Sequence, residues 1–79
     1  MPVYEIDRTK NEIVVKVGET AHPMEEDHYT MWIAKVTNNT TARIQLHPGQ
    51  EAKVRFRYMK GSTIFCYCNK HGLWKKEVE

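Results

Sequence analysis

Short runs in which apolar and polar residues alternate, each followed by a turn signal, constrain the fold of this chain more than any other feature. In Glu12–Val17 the apolar residues Ile13, Val15 and Val17 fall on one side of a period of two, and Lys53–Tyr58 alternates in the same way. A period of two places successive side chains on opposite faces of a strand. The pattern therefore indicates half-buried β-strands, and no stretch keeps a helical period for long.

The same pattern along the whole chain predicts seven short strands separated by turns. They are Val3–Asp7, Glu12–Val17, Tyr29–Val36, Thr41–His47, Lys53–Tyr58, Thr63–Cys68 and Leu73–Val78. Turn residues such as Pro and Gly in His47–Gln50 separate them, because these residues favour backbone conformations that strands do not use. The number and spacing of the strands predict an all-β fold, an immunoglobulin-like antiparallel β-sandwich of about seven strands. Ile44 and Leu46 are expected to point into its core.

The length and charge of the chain limit what it can be. Its 79 residues are enough for a single domain over residues 1–79 with one modest core. A chain of this size buries only about 60–65% of its unfolded surface, so a metal, a partner subunit or a disulfide would add needed stability. The formal net charge is only +2. A few basic residues are spaced along the chain and alternate with apolar ones: Arg43, Lys53, Arg55 and Arg57. This alternation is typical of the solvent-facing side of a strand rather than of a nucleic-acid-binding surface.

The sequence contains no apolar run long enough to span a membrane and no signal peptide. We therefore expect a cytoplasmic protein with no membrane partner. In that compartment Cys66 and Cys68 are expected to be thiols or metal ligands rather than a structural disulfide. They would share one face of a strand, where a Cα separation of about 6.5–7 Å is at the limit of disulfide geometry.

Residue types that bind metals cluster in two loop-like stretches. The stretch "AHPMEEDHY" contains His22 and His28, and "CNKHG" contains Cys68 and His71. A tight Cys-x-x-His loop returns its second ligand to the first, and Gly72 behind it lets the backbone turn without a side-chain clash. A β-sandwich can bring such loops together at one end. The candidate metal ligands are therefore His22, His28, Cys68 and His71.

Other residues in and near these stretches have simpler interpretations. His47 lies in a Pro-Gly turn and is interpreted as a surface histidine, and Cys66 as a small buried hydrophobe. Met24 and Trp32 are interpreted as core or wall residues. The acidic run Glu25–Asp27 is expected to be a solvated loop, from which one carboxylate could orient a ligand imidazole.

The two metal-binding stretches also resemble a known family. "HPMEEDHYTMWI" and "CNKHGLW", in this order, are similar to the two signature motifs of the superoxide reductases, the iron domain of desulfoferrodoxin and neelaredoxin. The intervening "LHPGQEAKVRF" is similar to that family's Pro-Gly turn and following strand. The resemblance implies an immunoglobulin-like β-sandwich and a mononuclear iron with four equatorial imidazoles and one axial thiolate. It implies that His22, His28 and His71 are equatorial ligands and that Cys68 is the axial thiolate.

The chain departs from that family at its start. The family takes its remaining equatorial histidine, and a loop lysine, from a segment just before the first strand. The corresponding region here reads "MPVYEI" and contains neither residue. Lys70, which lies between two predicted ligands, is our candidate to replace the lysine electrostatically. Since no domain with paired cysteines precedes the sandwich, the sequence resembles the one-iron form of the family.

The resemblance implies an oxidoreductase that reduces superoxide to hydrogen peroxide, with iron as cofactor and an external one-electron donor such as a rubredoxin. Family members form dimers or tetramers, so a homo-oligomer is expected. Two alternatives stay open. One is a non-catalytic metal-binding or electron-transfer module on the same fold, holding iron or zinc, because a site of one cysteine and three histidines also suits tetrahedral zinc. The other is a metal-free β-sandwich interaction domain.

Overall fold

The computed structural model describes residues 2–18, 24 and 27–79, and this part of the chain is built from seven β-strands. They are β1 (Pro2–Asp7), β2 (Glu12–Val17), β3 (Thr30–Val36), β4 (Thr41–Gln45), β5 (Lys53–Arg57), β6 (Thr63–Cys68) and β7 (Gly72–Glu77). All seven predicted strands are confirmed, with ends that differ by at most two residues. Among the described residues, no helix is long and apolar enough to cross a membrane.

The strands form two antiparallel sheets. One has three strands in the order β1-β2-β5, and the other has four in the order β4-β3-β6-β7. The chain changes sheet between β2 and β3, between β4 and β5, and between β5 and β6. This arrangement confirms the predicted immunoglobulin-like sandwich.

The core lies between the two sheets and is filled by alternate residues of the inner strands. Its buried apolar side chains include Ile13, Val15 and Val17 of β2, Ile33 of β3, Val54 and Phe56 of β5, and Ile64 and Cys66 of β6. The inward positions predicted from the period of two in β2 and β5 are therefore confirmed.

A buried lysine connects the sheets. Lys35 of β3 is only 7% exposed, and its Nζ donates a hydrogen bond of 2.8 Å to the backbone carbonyl of Arg57 at the end of β5. A buried ammonium group without such a partner would be costly, so this bond both satisfies the lysine and ties β3 to β5.

Ile44 lies on the predicted inner face, because it pairs directly with the buried Ile33, but it is not buried in the core. Ile44 is 37% exposed, and every residue of β4 is exposed, whereas Leu46, directly after the strand, is 4% exposed as predicted. The reason is tertiary. β4 is an edge strand of the wider sheet and pairs with β3 alone, so the narrower three-stranded sheet does not cover it.

A β-bulge interrupts the pairing of β3 with β6. Thr30 pairs with Cys68 and Trp32 pairs with Tyr67, so that Met31 is an extra residue on β3. The carbonyl of Met31 instead accepts a 2.8 Å hydrogen bond from the N–H of Leu46. Bulges bend a strand and are common beside functional sites. This one follows directly after the pair of Thr30 with Cys68, a predicted metal ligand.

Candidate metal centre

Three side chains with metal-ligating atoms meet at one end of the sandwich: His28, Cys68 and His71. Their ligand atoms all lie within 4.8 Å of one another. The two imidazole rings are edge to face, with centroids 4.7 Å apart and ring planes at 88°. Cys68 is buried, His28 is partly buried and His71 is exposed. The group is therefore closed towards the core and open to solvent beside His71.

The hairpin formed by β6 and β7 places Cys68 and His71. Cys68 is the last residue of β6, at an inward position of the strand. A three-residue turn follows, and the pair Cys68–Gly72 closes it. Gly72 has φ +80°, and nothing lies within 4 Å of the position that a Cβ would take. The backbone conformation, and not lack of space, therefore requires glycine behind the histidine.

The segment leading into β3 places His28. Its Nε2 atom has no exposure to solvent. Two residues later, Thr30 is fully buried and pairs with Cys68. The bulge at Met31 follows directly after this pair, so the irregular part of β3 begins close to the segment that carries His28.

Asn69 joins these two parts of the chain. Its Oδ1 accepts a 2.9 Å hydrogen bond from the N–H of Tyr29, and its Nδ2 donates a 3.0 Å bond to the carbonyl of Asp27. Its own N–H donates to the carbonyl of Tyr29 at 3.2 Å. Oδ1 also lies 3.9 Å from Sγ of Cys68. One amide therefore holds the segment around His28 against the turn that carries Cys68 and His71.

The three donors suit a borderline or soft transition metal. Imidazole nitrogen and cysteine sulfur bind iron and zinc at about 2.0–2.3 Å, so donors that share an ion lie roughly 3–4.5 Å apart. The donor atoms of this group all lie within 4.8 Å of one another, a bound slightly above that range. The described residues thus form a candidate metal site, and His71 leaves one side of it accessible.

The second cysteine is not part of this group. Cys66 points to the same inner face of β6 but belongs to the hydrophobic core. Burial raises the pKa of the Cys66 thiol. A thiol that keeps its proton is a poor metal ligand, which agrees with the interpretation of Cys66 as a buried hydrophobe. Both cysteines are free thiols, as expected.

The other residues singled out in the sequence lie as follows. His22 and the acidic residues Glu25 and Glu26 lie outside the described residues. Lys70 is exposed in the turn between Cys68 and His71. His47 is exposed, and its backbone N–H donates to Oε1 of Gln50 at 2.6 Å within the Pro-Gly turn.

Sequence reasoning missed two contributors to this site, Asn69 and the bulge at Met31. Asn69 stood in the quoted "CNKHG" motif, and an asparagine in a turn is common because its amide can bond nearby backbone. Only the pairing of β3 with β6 shows that its partners lie about forty residues away along the chain.

Comparison with known proteins points to one family. The family model for desulfoferrodoxin matches residues 1–77. A desulfoferrodoxin homolog of Archaeoglobus fulgidus is 46% identical over 71 residues, which are 89% of this chain and 57% of that protein. The chain thus spans less than two thirds of the length of this relative.

Solved structures agree with that match. A superoxide reductase (1Fe-SOR) from Giardia intestinalis superposes with a TM-score of 0.82 at 27% identity, over 99% of this chain and 94% of that one. The superoxide reductase from Treponema pallidum gives a TM-score of 0.79 at 31% identity, over 95% of this chain and 61% of that one.

Proposed function

Because this chain belongs to the desulfoferrodoxin family, we propose that it is a mononuclear iron protein of the superoxide reductase type. The reaction would reduce superoxide to hydrogen peroxide, consuming one electron and two protons for each superoxide. The observation that carries the proposal is the grouping of His28, Cys68 and His71 within 4.8 Å, in a sandwich similar to solved superoxide reductases. Solved structures similar to this chain are superoxide reductases, and the activity of this chain is our proposal.

In the proposed site, Cys68, His28 and His71 would hold the iron, and we assign His22 as a further ligand. Bound iron would supply the electron and an open position for a small anion. The thiolate of Cys68 would make the iron a stronger electron donor. Cys68 is buried at the end of β6, which protects its sulfur from solvent. His71 lies on the exposed side, where a small anion has access.

Lys70 is the cation that we assign to anion attraction. It is exposed and stands between Cys68 and His71 in the same turn. A positive side chain at the mouth of a site raises the local concentration of an anion such as superoxide.

The partners follow from the chemistry. The proposed reaction needs an external one-electron donor, and a small redox protein such as a rubredoxin meets that need. We also propose that residues 1–79 act as a single domain that assembles with further copies. Pairing between copies would cover an edge strand such as β4, which pairs with β3 alone.

The donor set favours a second candidate function, a non-catalytic metal-binding or electron-transfer module. One cysteine and two histidines with atoms within 4.8 Å also suit zinc, which takes four ligands in a tetrahedron. Zinc has no redox chemistry, so occupancy by zinc would give the site a structural role.

Metal analysis and visible spectroscopy of the full chain, purified without oxygen, test the proposal. We expect one iron for each chain and, after mild oxidation, a thiolate-to-ferric charge-transfer band that is absent in Cys68→Ser. Stopped-flow mixing with superoxide should then show its rapid consumption. A colourless zinc protein, with no band even after reconstitution with ferrous iron, would support the second candidate instead.

A further inference from the structure

The side-chain amide of Asn69 holds both peptide groups that flank His28. The carbonyl of Asp27 belongs to the peptide group before His28, and the N–H of Tyr29 belongs to the one after it. Nδ2 of Asn69 donates to the first at 3.0 Å, and Oδ1 accepts from the second at 2.9 Å. Since the two bonds need opposite ends of the amide, they also fix its orientation.

This arrangement restricts the backbone of His28. The φ and ψ angles of a residue set the relation between its two flanking peptide planes, and Asn69 anchors both planes. The third bond, from the N–H of Asn69 to the carbonyl of Tyr29, closes the contact from the other side at 3.2 Å. The direction of the His28 side chain is therefore tied to Asn69.

The regular ladder cannot provide this restraint. Pairing between β3 and β6 is shifted at Met31, and Thr30–Cys68 is the last pair of the ladder. His28 lies beyond that pair, in a segment that precedes the strand. His28 itself forms a single β-bridge, and the side-chain hydrogen bonds of Asn69 add a link between its two flanking peptide groups and the turn.

The position of Asn69 in the chain makes the restraint specific to the candidate ligands. Asn69 directly follows Cys68 and comes two residues before His71. Whatever holds His28 to Asn69 therefore holds it to the turn that carries both other donors. A single residue links the two ligand-bearing segments, whose sequence positions are 40 residues apart for Tyr29 and Asn69.

We propose that Asn69 is a positioning residue of the metal centre, which sets the place of His28 relative to Cys68 and His71. The inference rests on the proposed function, because it takes these three residues as the ligands. Partners of this kind, which orient a ligand without touching the metal, typically change metal affinity by about 10–100-fold when removed.

The test compares the full-length protein with Asn69→Ala, Asn69→Asp and Asn38→Ala. Asn69→Asp keeps an acceptor for the N–H of Tyr29 but loses the donor to Asp27. Asn38 is an exposed asparagine in the turn after β3, at the other end of that strand, and serves as the matched control. Amide hydrogen exchange is measured on the metal-free proteins, and protection of the core amide of Ile33 verifies that each variant is folded. Titration with Co²⁺ then reports affinity and, through the ligand-field bands, coordination geometry.

We expect the Tyr29 amide to exchange at least about tenfold faster in Asn69→Ala, with Co²⁺ binding about 10–100-fold weaker and altered ligand-field bands. Asn69→Asp should fall between Asn69→Ala and the wild type, and Asn38→Ala should match the wild type. Faster Tyr29 exchange with unchanged Co²⁺ affinity and bands overturns the positioning role, as does unchanged Tyr29 exchange. If the wild type itself binds no Co²⁺, the proposed metal site fails, and this inference fails with it. If the wild type binds Co²⁺ and Asn69→Ala binds it equally well, only the inference about Asn69 fails.

Discussion

Cys66 and Cys68 point to the same inner face of β6, yet only Cys68 lies with the donors of His28 and His71. Cys66 lies two residues before Cys68 in β6, at the preceding inward position, and packs in the hydrophobic core. Both thiols are buried and free, so burial alone does not distinguish a structural cysteine from a candidate ligand. The two cysteines differ because Cys68 is the last residue of β6 and so lies beside the turn that carries His71, whereas Cys66 lies within the strand.

The two cysteines should therefore respond differently to substitution. Cys68→Ser should remove the charge-transfer band of the oxidised iron protein, because the thiolate donor is lost. Cys66→Ala should keep the band and lower the free energy of unfolding by about 1 kcal/mol, as expected for a small cavity in the core. Visible spectra and urea unfolding measure the two effects. A band that survives Cys68→Ser but disappears in Cys66→Ala would reverse the assignment.

The glycine behind His71 gives a second prediction. Gly72→Ala places a Cβ in open space but forces alanine to φ +80°, so the variant should be destabilised by about 1–2 kcal/mol. Asparagine tolerates this left-handed region better, so Gly72→Asn should lose less. Urea unfolding of the metal-free proteins measures the difference. Equal stability of Gly72→Ala and the wild type would mean that the turn relaxes to another conformation without cost.

The fold could be predicted from local sequence because the apolar period of two identifies strands residue by residue. The exposure of Ile44 shows the limit of that reasoning. Ile44 alternates like an inward residue, but whether an inward residue is covered depends on the width of the opposite sheet. Sheet width is decided by how strands pair over long distances, which alternation does not report.

The candidate site could be predicted in part. His28, Cys68 and His71 were identified by residue type and spacing, and the structure brings their donor atoms together. The bulge at Met31 and the contacts of Asn69 could not be foreseen, because both depend on which residue of β6 faces which residue of β3. The ligand roles of His28, Cys68 and His71 stay predictions, and so does that of His22, which lies outside the described residues.

Asp7 gives a prediction on the pH dependence of stability. A hydrogen bond from the Thr9 hydroxyl, helped by Arg55, lowers the pKa of the Asp7 carboxyl below its ordinary value of 3.8. A lowered pKa means that the folded state favours the charged form. The stabilisation is therefore present above about pH 4 and is lost as the pH falls through the lower folded-state pKa.

Asp7→Asn tests this dependence, because the asparagine amide does not titrate in the acid range where the Asp7 carboxylate takes up a proton. The wild type should lose stability more steeply than the variant between about pH 4 and pH 2, as measured by thermal unfolding. Parallel curves for the two proteins would show that Asp7 does not contribute to acid destabilisation.

Lys70 gives the prediction closest to the proposed reaction. Lys70→Ala should slow the second-order reaction with superoxide about two- to fivefold at low ionic strength, because one positive charge beside the site is lost. The difference should shrink as added salt screens the charge, and Lys70→Arg should keep the wild-type rate. Lys60→Ala is the matched control, since Lys60 is exposed in the turn before β6, at the opposite end of that strand from Cys68. Stopped-flow measurements across a range of salt concentrations decide the matter. If Lys70→Ala keeps both the rate and the salt dependence of the wild type, Lys70 has no role in attracting the anion.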